Sequence, residues 1–176
     1  MQLEPPGIPL RHGEALLRPW READAGPLIA ACSDPEIARW TPVPQPYTDA
    51  DAIAFLARAR EGWRSGSTAS FAIVGAATDE LLGSIELRLH GARASVGYWL
   101  GEGARGRGIA TRALRLVTDW AFSSLGVTRI ELTTDPENVP SQRVAERVGF
   151  RNEGVRERAI VIKGAVRDSV VFGLAA

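Results

Sequence analysis

The chain has a single cysteine, Cys32, and only two histidines, His12 and His90, which lie far apart in the sequence. One thiol cannot form an internal disulfide, and two distant histidines cannot complete a tetrahedral zinc site. We therefore expect a core that needs neither a disulfide nor a metal. A reducing, cytoplasmic compartment is the corresponding expectation for its location.

Long hydrophobic runs and a surplus of either charge are also lacking. No segment approaches about 18 consecutive apolar residues, and the chain does not open on a basic stretch followed by an apolar run, so neither a membrane span nor secretion is expected. The 21 basic and 21 acidic side chains cancel, which argues against a general nucleic-acid binder. Arginine supplies every basic residue except Lys163.

The length of the chain fits one domain. A chain of 176 residues can bury roughly 70% of the surface that its unfolded form exposes. No internal repeat or low-complexity linker divides the sequence, and the proline-rich segment 41–47 is short enough to be one extended loop. We predict a single domain over residues 1–176.

Hydrophobic periodicity predicts a mixture of strands and helices. Thr48 with Asp51 forms a capping-box pattern that opens one helix, and Gly149 is a typical helix-ending residue. The predicted strands cover 15–18, 70–77, 81–89, 94–100, 129–134, 153–163 and 165–174, and the predicted helices cover about 24–32, 48–62, 109–124 and 140–148. This order is typical of an α/β mixture in which antiparallel hairpins flank one strand, helix, strand, helix unit.

Four glycines, at positions 101, 103, 106 and 108, lie between a predicted strand and a predicted helix. Glycine allows the backbone to fold closely around an anion, and the helix presents unpaired N–H groups and a partial positive charge at its N-terminus. Arg105 and Arg107 add charged donors at the side. The segment indicates a phosphate site, with an ordinary flexible turn as the alternative.

Gly101, Gly103 and Gly106 also satisfy the dinucleotide-binding spacing G-x-G-x-x-G. In that motif the third glycine packs the helix against the strand, whereas Gly106 is followed by Arg107 and another helix-weakening glycine, Gly108. The preceding strand is also predicted to lie in an antiparallel meander, unlike the parallel units of dinucleotide folds. A nicotinamide-dependent oxidoreductase is therefore the more distant alternative.

In combination these segments resemble the Gcn5-related N-acetyltransferase (GNAT) superfamily, and within it the RimJ/RimL-like subgroup that acetylates ribosomal-protein N-termini. Arg105-x-x-Gly108-x-Ala110 is similar to the family's coenzyme A signature, (Gln/Arg)-x-x-Gly-x-(Gly/Ala). The remaining subgroup motifs are matched in order by Leu17-Arg18-Pro19-Trp20, Gly97-Tyr98-Trp99-Leu100, Asn138-x-x-Ser141, Glu146-Arg147-Val148-Gly149-Phe150 and Glu153-Gly154. The resemblance covers almost the whole chain.

The resemblance implies a mixed α+β fold whose central, mostly antiparallel sheet has six or seven strands and about four flanking helices. Its fourth and fifth strands would splay apart into a V-shaped cleft that takes acetyl-coenzyme A, with no metal. The pantetheine would pair along the backbone of Trp99 and Leu100. The other residues implied to bind the cofactor are Arg105, Gly106, Arg107, Gly108, Ile109, Ala110, Thr111, Asn138 and Ser141.

Acetyl transfer to an amine requires a neutral nucleophile and a proton for the departing thiolate. The candidate base is Glu86, with Glu131 behind it, although alternation along the strand also fits a solvated outer face for Glu86. Many relatives protonate the thiolate from a tyrosine, but that position here is Ala145. In the subgroup a serine takes this role, and the matching residue is Ser141, for which helix capping is the alternative.

The predicted function is direct transfer of an acetyl group from acetyl-coenzyme A to a primary amine, in a ternary complex. The amine is a protein N-terminal α-amine or a small molecule, and Trp40, Tyr47 and Tyr98 are the candidates for contacting it. A non-catalytic acyl-coenzyme A binding or sensing domain is the main alternative. Nucleic acid and membrane are not expected as partners, whereas exposed hairpin edges leave a homodimer open.

Overall fold

The computed structural model describes residues 3–176, and within them it contains eight β-strands, five α-helices and two short 3-10 helices. The strands are β1 (Leu10–His12), β2 (Ala15–Pro19), β3 (Thr68–Gly75), β4 (Leu81–His90), β5 (Arg93–Leu100), β6 (Arg129–Thr134), β7 (Arg151–Ile162) and β8 (Ala165–Ala175). The helices are α1 (Ala25–Cys32), α2 (Pro35–Trp40), α3 (Asp49–Ser65), α4 (Ile109–Ser124) and α5 (Val139–Val148). The four predicted helices and seven predicted strands are all present, and β1 and α2 are additional.

The strands form one sheet in the order β1-β2-β3-β4-β5-β6-β8-β7. Neighbouring strands are antiparallel except β5 and β6, which are parallel and pair only between residues 93–96 and 129–132. Residues 97–100 of β5 therefore continue without a β6 partner among residues 3–176. β5 and β6 separate at this point and leave a V-shaped cleft. They are the fourth and fifth of the predicted strands, so the expected splay is confirmed.

The main core lies on the face of the sheet that is covered by α4 and α5, and Trp63 near the end of α3 joins it. Trp63 of α3, Phe71 of β3 and Trp120 of α4 pack with ring centroids 5.1–6.0 Å apart. The same cluster includes Ala145 of α5 and the phenyl ring of Phe150. These contacts fix the positions of α4 and α5 relative to the cleft.

A smaller core supports the other side of the sheet. Leu28 and Cys32 of α1 pack with Ala52 of α3, and Tyr47 and Trp99 lie against this group. The capping box predicted for α3 is present, because the Thr48 and Asp51 side chains bond to each other's backbone amides. No helix within residues 3–176 has the length and apolar character needed to cross a membrane.

Candidate active site

The cleft has two arms, and one hydrogen bond joins them. One arm is the unpaired end of β5, and the other is the first turn of α5, which follows β6. The Tyr98 hydroxyl oxygen on β5 lies 3.0 Å from Ser141 Oγ on α5. At the rim, Arg39 Nη2 of α2 lies 3.7 Å from Glu137 Oε2 in the loop before α5.

The glycine loop ends in an array of unpaired donors. Gly106 and Gly108 both have φ of +74°, a left-handed conformation that a side chain disfavours, and Gly108 is the N-cap of α4. Among residues 3–176, the amides of residues 106–111 donate to no backbone carbonyl, and the first such bond of α4 runs from Arg112 to Gly108. Free amides at a helix N-terminus are the kind of group that binds an anion.

The two arginines of the loop are bound within the chain. The guanidinium of Arg105 donates to the Leu100 carbonyl at 3.0 Å and to the carboxylate of Asp34. The guanidinium of Arg107 donates to the Gly103 carbonyl at 3.1 Å and to Glu14 at 3.2 Å. Their side chains bridge the loop to neighbouring segments, and among residues 3–176 the amides of residues 106–111 are donors without a backbone partner.

Tyr98 and Glu86 lie on opposite faces of the sheet. Glu86 is paired with Gly97 across the β4–β5 ladder, whereas Tyr98 is paired with Ile85, and side chains alternate between faces along a strand. Tyr98 points to the main core face, and Glu86 lies half-buried on the other face. An amine approaching past Glu86 would therefore meet the cleft from the side opposite Ser141.

Both candidate bases are paired with arginines. Glu86 accepts a hydrogen bond from Arg88 Nε at 2.7 Å, and Glu131 accepts two from Arg156 at 3.0 and 3.1 Å. Glu86 borders the cleft opposite Gly97, whereas Glu131 is paired with Ser95, inside the closed part of the β5–β6 ladder. Of the two carboxylates, Glu86 is therefore the one beside the part of β5 that has no β6 partner among the described residues.

Asn138 and Ser141 have different local roles. Asn138 is the N-cap of α5, because its Oδ1 accepts from the Ser141 amide at 3.2 Å. The Ser141 hydroxyl does not cap the helix and instead contacts Tyr98. Burial raises the pKa of Tyr98 to about 12, so its phenol stays protonated at neutral pH.

The three aromatic candidates for contacting the amine, Trp40, Tyr47 and Tyr98, lie in different places. Tyr47 packs beside Trp99 in the smaller core, on the Glu86 side of the sheet. Trp40 bonds to Glu36 of its own helix at 3.2 Å, with the Arg39 guanidinium 4.3 Å from its ring centroid. Tyr98 lies on the opposite face, with Ser141.

Asp34 is a site residue that the sequence analysis missed. Its Oδ1 caps α2 by accepting from the Glu36 amide at 2.9 Å, while Oδ2 binds Arg105. Asp34 thereby links α2, at the rim of the cleft, to the glycine loop. The signal was present in the sequence, since aspartate followed by Pro35 is a helix-start pattern.

The backbone addresses the dinucleotide-binding alternative. α4 begins after Gly108 rather than at Gly106, and β5 and β6 are the only neighbouring strands within residues 3–176 that pair in parallel, unlike the successive parallel units of a dinucleotide fold. Within residues 3–176, no group of three His, Cys, Asp or Glu side chains is placed to hold a metal ion.

Comparison with known proteins gives consistent matches. Residues 15–151 match the family model of the acetyltransferase (GNAT) domain. The chain is 31% identical over 162 residues to the uncharacterized N-acetyltransferase p20 of Bacillus licheniformis, covering 90% of each chain. It is 39% identical over 108 residues to the probable N-acetyltransferase YjcK of Bacillus subtilis strain 168, covering 59% of this chain and 60% of that one. Among solved structures, it is similar to Mycobacterium smegmatis RimJ in complex with CoA-disulfide, with a TM-score of 0.85, 31% identity, and coverage of 96% of this chain and 86% of that chain.

Proposed function

The chain belongs to the GNAT acetyltransferase family and is an acetyl-coenzyme A-dependent N-acetyltransferase, and from this premise we propose that its acceptor is an α-amine at a peptide or protein N-terminus. An α-amine with a pKa near 8 costs about 1.4 kcal/mol to deprotonate at pH 7, whereas a lysine amine costs about 4.6 kcal/mol. Carboxylates are weak bases in general, and the candidate carboxylate at the cleft, Glu86, is paired with Arg88. Such a base suits the more easily deprotonated amine.

The observation that carries the proposed donor site is the cleft between β5 and β6 with unpaired amides at its end. We propose that the backbone of Trp99 and Leu100 holds the pantetheine, and that the amides of residues 106–111 hold the pyrophosphate. A Cβ built on Gly106 meets no heavy atom within 4 Å, so the loop is open where the anion is proposed to lie. Acetyl-coenzyme A supplies the activated acetyl group when bound.

The proposed roles of the reacting side chains follow from the two faces of the cleft. Glu86 accepts the proton of the amine, directly or through water, on one face. Ser141 gives a proton to the departing thiolate on the other face. Asn138 orients the first turn of α5 through its bond to the Ser141 amide.

We also propose that residues 1–176 form one cytoplasmic domain that associates as a homodimer through the β7–β8 hairpin. Val155, Val161 and Val166 are exposed on the hairpin, at 58%, 63% and 46% of their surface. The register places all three on the face that carries the core farther along β8. Cys32 is a buried free thiol, which fits a reducing compartment.

The proposed function is tested by measuring thiol release from acetyl-coenzyme A with a panel of amines. The panel contains peptides with a free N-terminus, the same peptides with a blocked N-terminus and an internal lysine, and small polyamines. We expect thiol release and a mass gain of one acetyl group for peptides with a free N-terminus only. Acetylation confined to lysine or polyamines would contradict the proposed acceptor.

The donor is tested independently by thermal or chemical denaturation with acetyl-coenzyme A. A ligand at one hundred times its dissociation constant adds about 2.7 kcal/mol to the free energy of unfolding. Stabilisation without thiol release from any amine would indicate a non-catalytic acyl-coenzyme A binding domain. Absence of stabilisation would contradict the proposed donor site.

A further inference from the structure

The contact between Tyr98 and Ser141 joins residues 43 positions apart in the sequence and spans the two arms of the cleft. Tyr98 lies two residues beyond Val96, the last residue of β5 that pairs with β6. Ser141 lies in the first turn of α5. The two hydroxyls therefore meet at the point where the sheet opens.

Neither hydroxyl has another hydrogen-bond partner among residues 3–176. At 3.0 Å either hydroxyl can donate, and because the phenol is the more acidic of the two groups we take Tyr98 as the donor and Ser141 Oγ as the acceptor. Burial raises the pKa of Tyr98 to about 12, which keeps that donor hydrogen in place at neutral pH. The hydrogen of Ser141 is then left to be donated into the cleft.

We propose that Tyr98 is a positioning residue for the leaving-group step: its hydroxyl donates to Ser141 Oγ and thereby aims the Ser141 hydrogen at the departing sulfur. The inference rests on the proposed function, in which Ser141 supplies that proton. Two contacts hold Ser141 in place, the Asn138 cap on its backbone amide and the Tyr98 hydroxyl on its side chain. Together they restrict the rotamer from which the proton is given.

The step conserves atoms and charge. The amine nitrogen bonds to the acetyl carbon, the carbon–sulfur bond breaks with its electron pair on sulfur, and Ser141 gives its proton to that sulfur. Glu86 accepts the proton that the amine loses, and water carries that proton from Glu86 to Ser141, so both groups return to their starting state. Tyr98 keeps its own proton throughout.

The test is a double-mutant cycle on Tyr98→Phe and Ser141→Ala, read as kcat, as KM for acetyl-coenzyme A and as the dissociation constant of coenzyme A. We expect Ser141→Ala to lower kcat on the order of 100-fold and Tyr98→Phe roughly tenfold, with KM and coenzyme A affinity within about twofold of wild type. Tyr98→Phe should then have no further effect when combined with Ser141→Ala, since it acts only through Ser141.

A matched control removes a buried hydroxyl elsewhere. Thr118 of α4 is 1% exposed and donates to the Arg115 carbonyl at 2.9 Å, so Thr118→Val loses a comparable hydrogen bond away from the cleft. This variant should keep the wild-type kcat, and melting temperatures of all variants report any loss of folding.

Three results would overturn the inference. A Tyr98→Phe effect of equal size with and without Ser141→Ala would mean that Tyr98 acts independently of Ser141. An effect confined to KM would assign Tyr98 to binding. Absence of turnover in the wild-type protein with every amine would remove the proposed function as well, which separates that failure from the first two.

Discussion

At the scale of single residues, Arg18 is a buried cation held by two carboxylates. Arg18 is 5% exposed and Asp24 is 6% exposed, and the guanidinium meets both oxygens of Asp24 at 2.8 and 2.9 Å. Arg18 Nε also bonds to Asp79 at 2.7 Å, in the turn between β3 and β4. The cluster ties the start of α1 to the sheet.

Replacing Asp24 with asparagine should lower the free energy of unfolding by about 2 kcal/mol at neutral pH. This is below the ~3 kcal/mol typical of a fully unpaired buried charge, because Asp79 still neutralises Arg18. Chemical denaturation measures the loss. Glu61→Gln is the control, since it breaks an exposed pair with Arg64 and should change stability little.

The pair of Arg18 and Asp24 should also make the free energy of unfolding depend on pH. Burial alone would raise the pKa of Asp24, but hydrogen bonds from Arg18 and the Arg21 amide outweigh it and lower the pKa. A lowered folded-state pKa adds stability above the unfolded value of about 3.9, and that stability is lost as the pH falls through the folded value. Asp24→Asn should therefore differ most from wild type at neutral pH and converge with it in acid.

At the scale of elements, the start of α4 depends on the left-handed conformation of Gly108. A Cβ at this position would meet only the Arg112 guanidinium, at an ordinary 3.9 Å, so the cost of a side chain is in the backbone. That conformation costs an alanine about 1 kcal/mol. The strain would fall where the amides of the proposed anion site are aligned.

Gly108→Ala should lower the free energy of unfolding by about 1 kcal/mol and weaken coenzyme A binding. Calorimetry of binding and chemical denaturation measure the two effects. Gly103→Ala is the matched control, since Gly103 lies in the same loop, has no positive φ and has no heavy atom within 4 Å of a built Cβ. Equal effects of both substitutions would contradict a role for the Gly108 conformation.

At the scale of the whole molecule, the β7–β8 hairpin exposes apolar side chains. β7 is one of the two edge strands of the sheet, and register shifts interrupt its pairing with β8 after Asn152 and after Arg156. Such irregularities discourage open-ended pairing of edge strands. The exposed valines lie on a face of the hairpin instead, where a second copy could pack without extending the sheet.

The proposed homodimer is tested by sedimentation equilibrium. We expect the wild-type mass to be twice that of the chain, and Val161→Glu to shift the protein toward monomer because a charge would be buried at the contact. Ile53→Glu is the control, since Ile53 is 65% exposed on α3 and lies outside the hairpin. A monomeric wild-type protein would overturn the proposal.

Much of the element order could be predicted because its signals are local. The capping box at Thr48 and Asp51, the helix start after Gly108 and the end of α5 at Gly149 all depend on neighbouring residues. α2 was missed because six residues are too few for helical periodicity, although Asp34 and Pro35 mark its start. β1 has only three residues and is defined by its partner β2.

The order of strands and helices, the glycine loop and the motifs that carry the family resemblance could all be found in the sequence, since each depends on residues close together in the chain. Which side chains meet could not be found there. The contact of Arg105 with Asp34, and the contact of the Ser141 hydroxyl with Tyr98, join residues 71 and 43 positions apart in the sequence. Such contacts arise when the sheet brings β5, α2 and α5 together, because packing and burial act between elements that no local pattern relates.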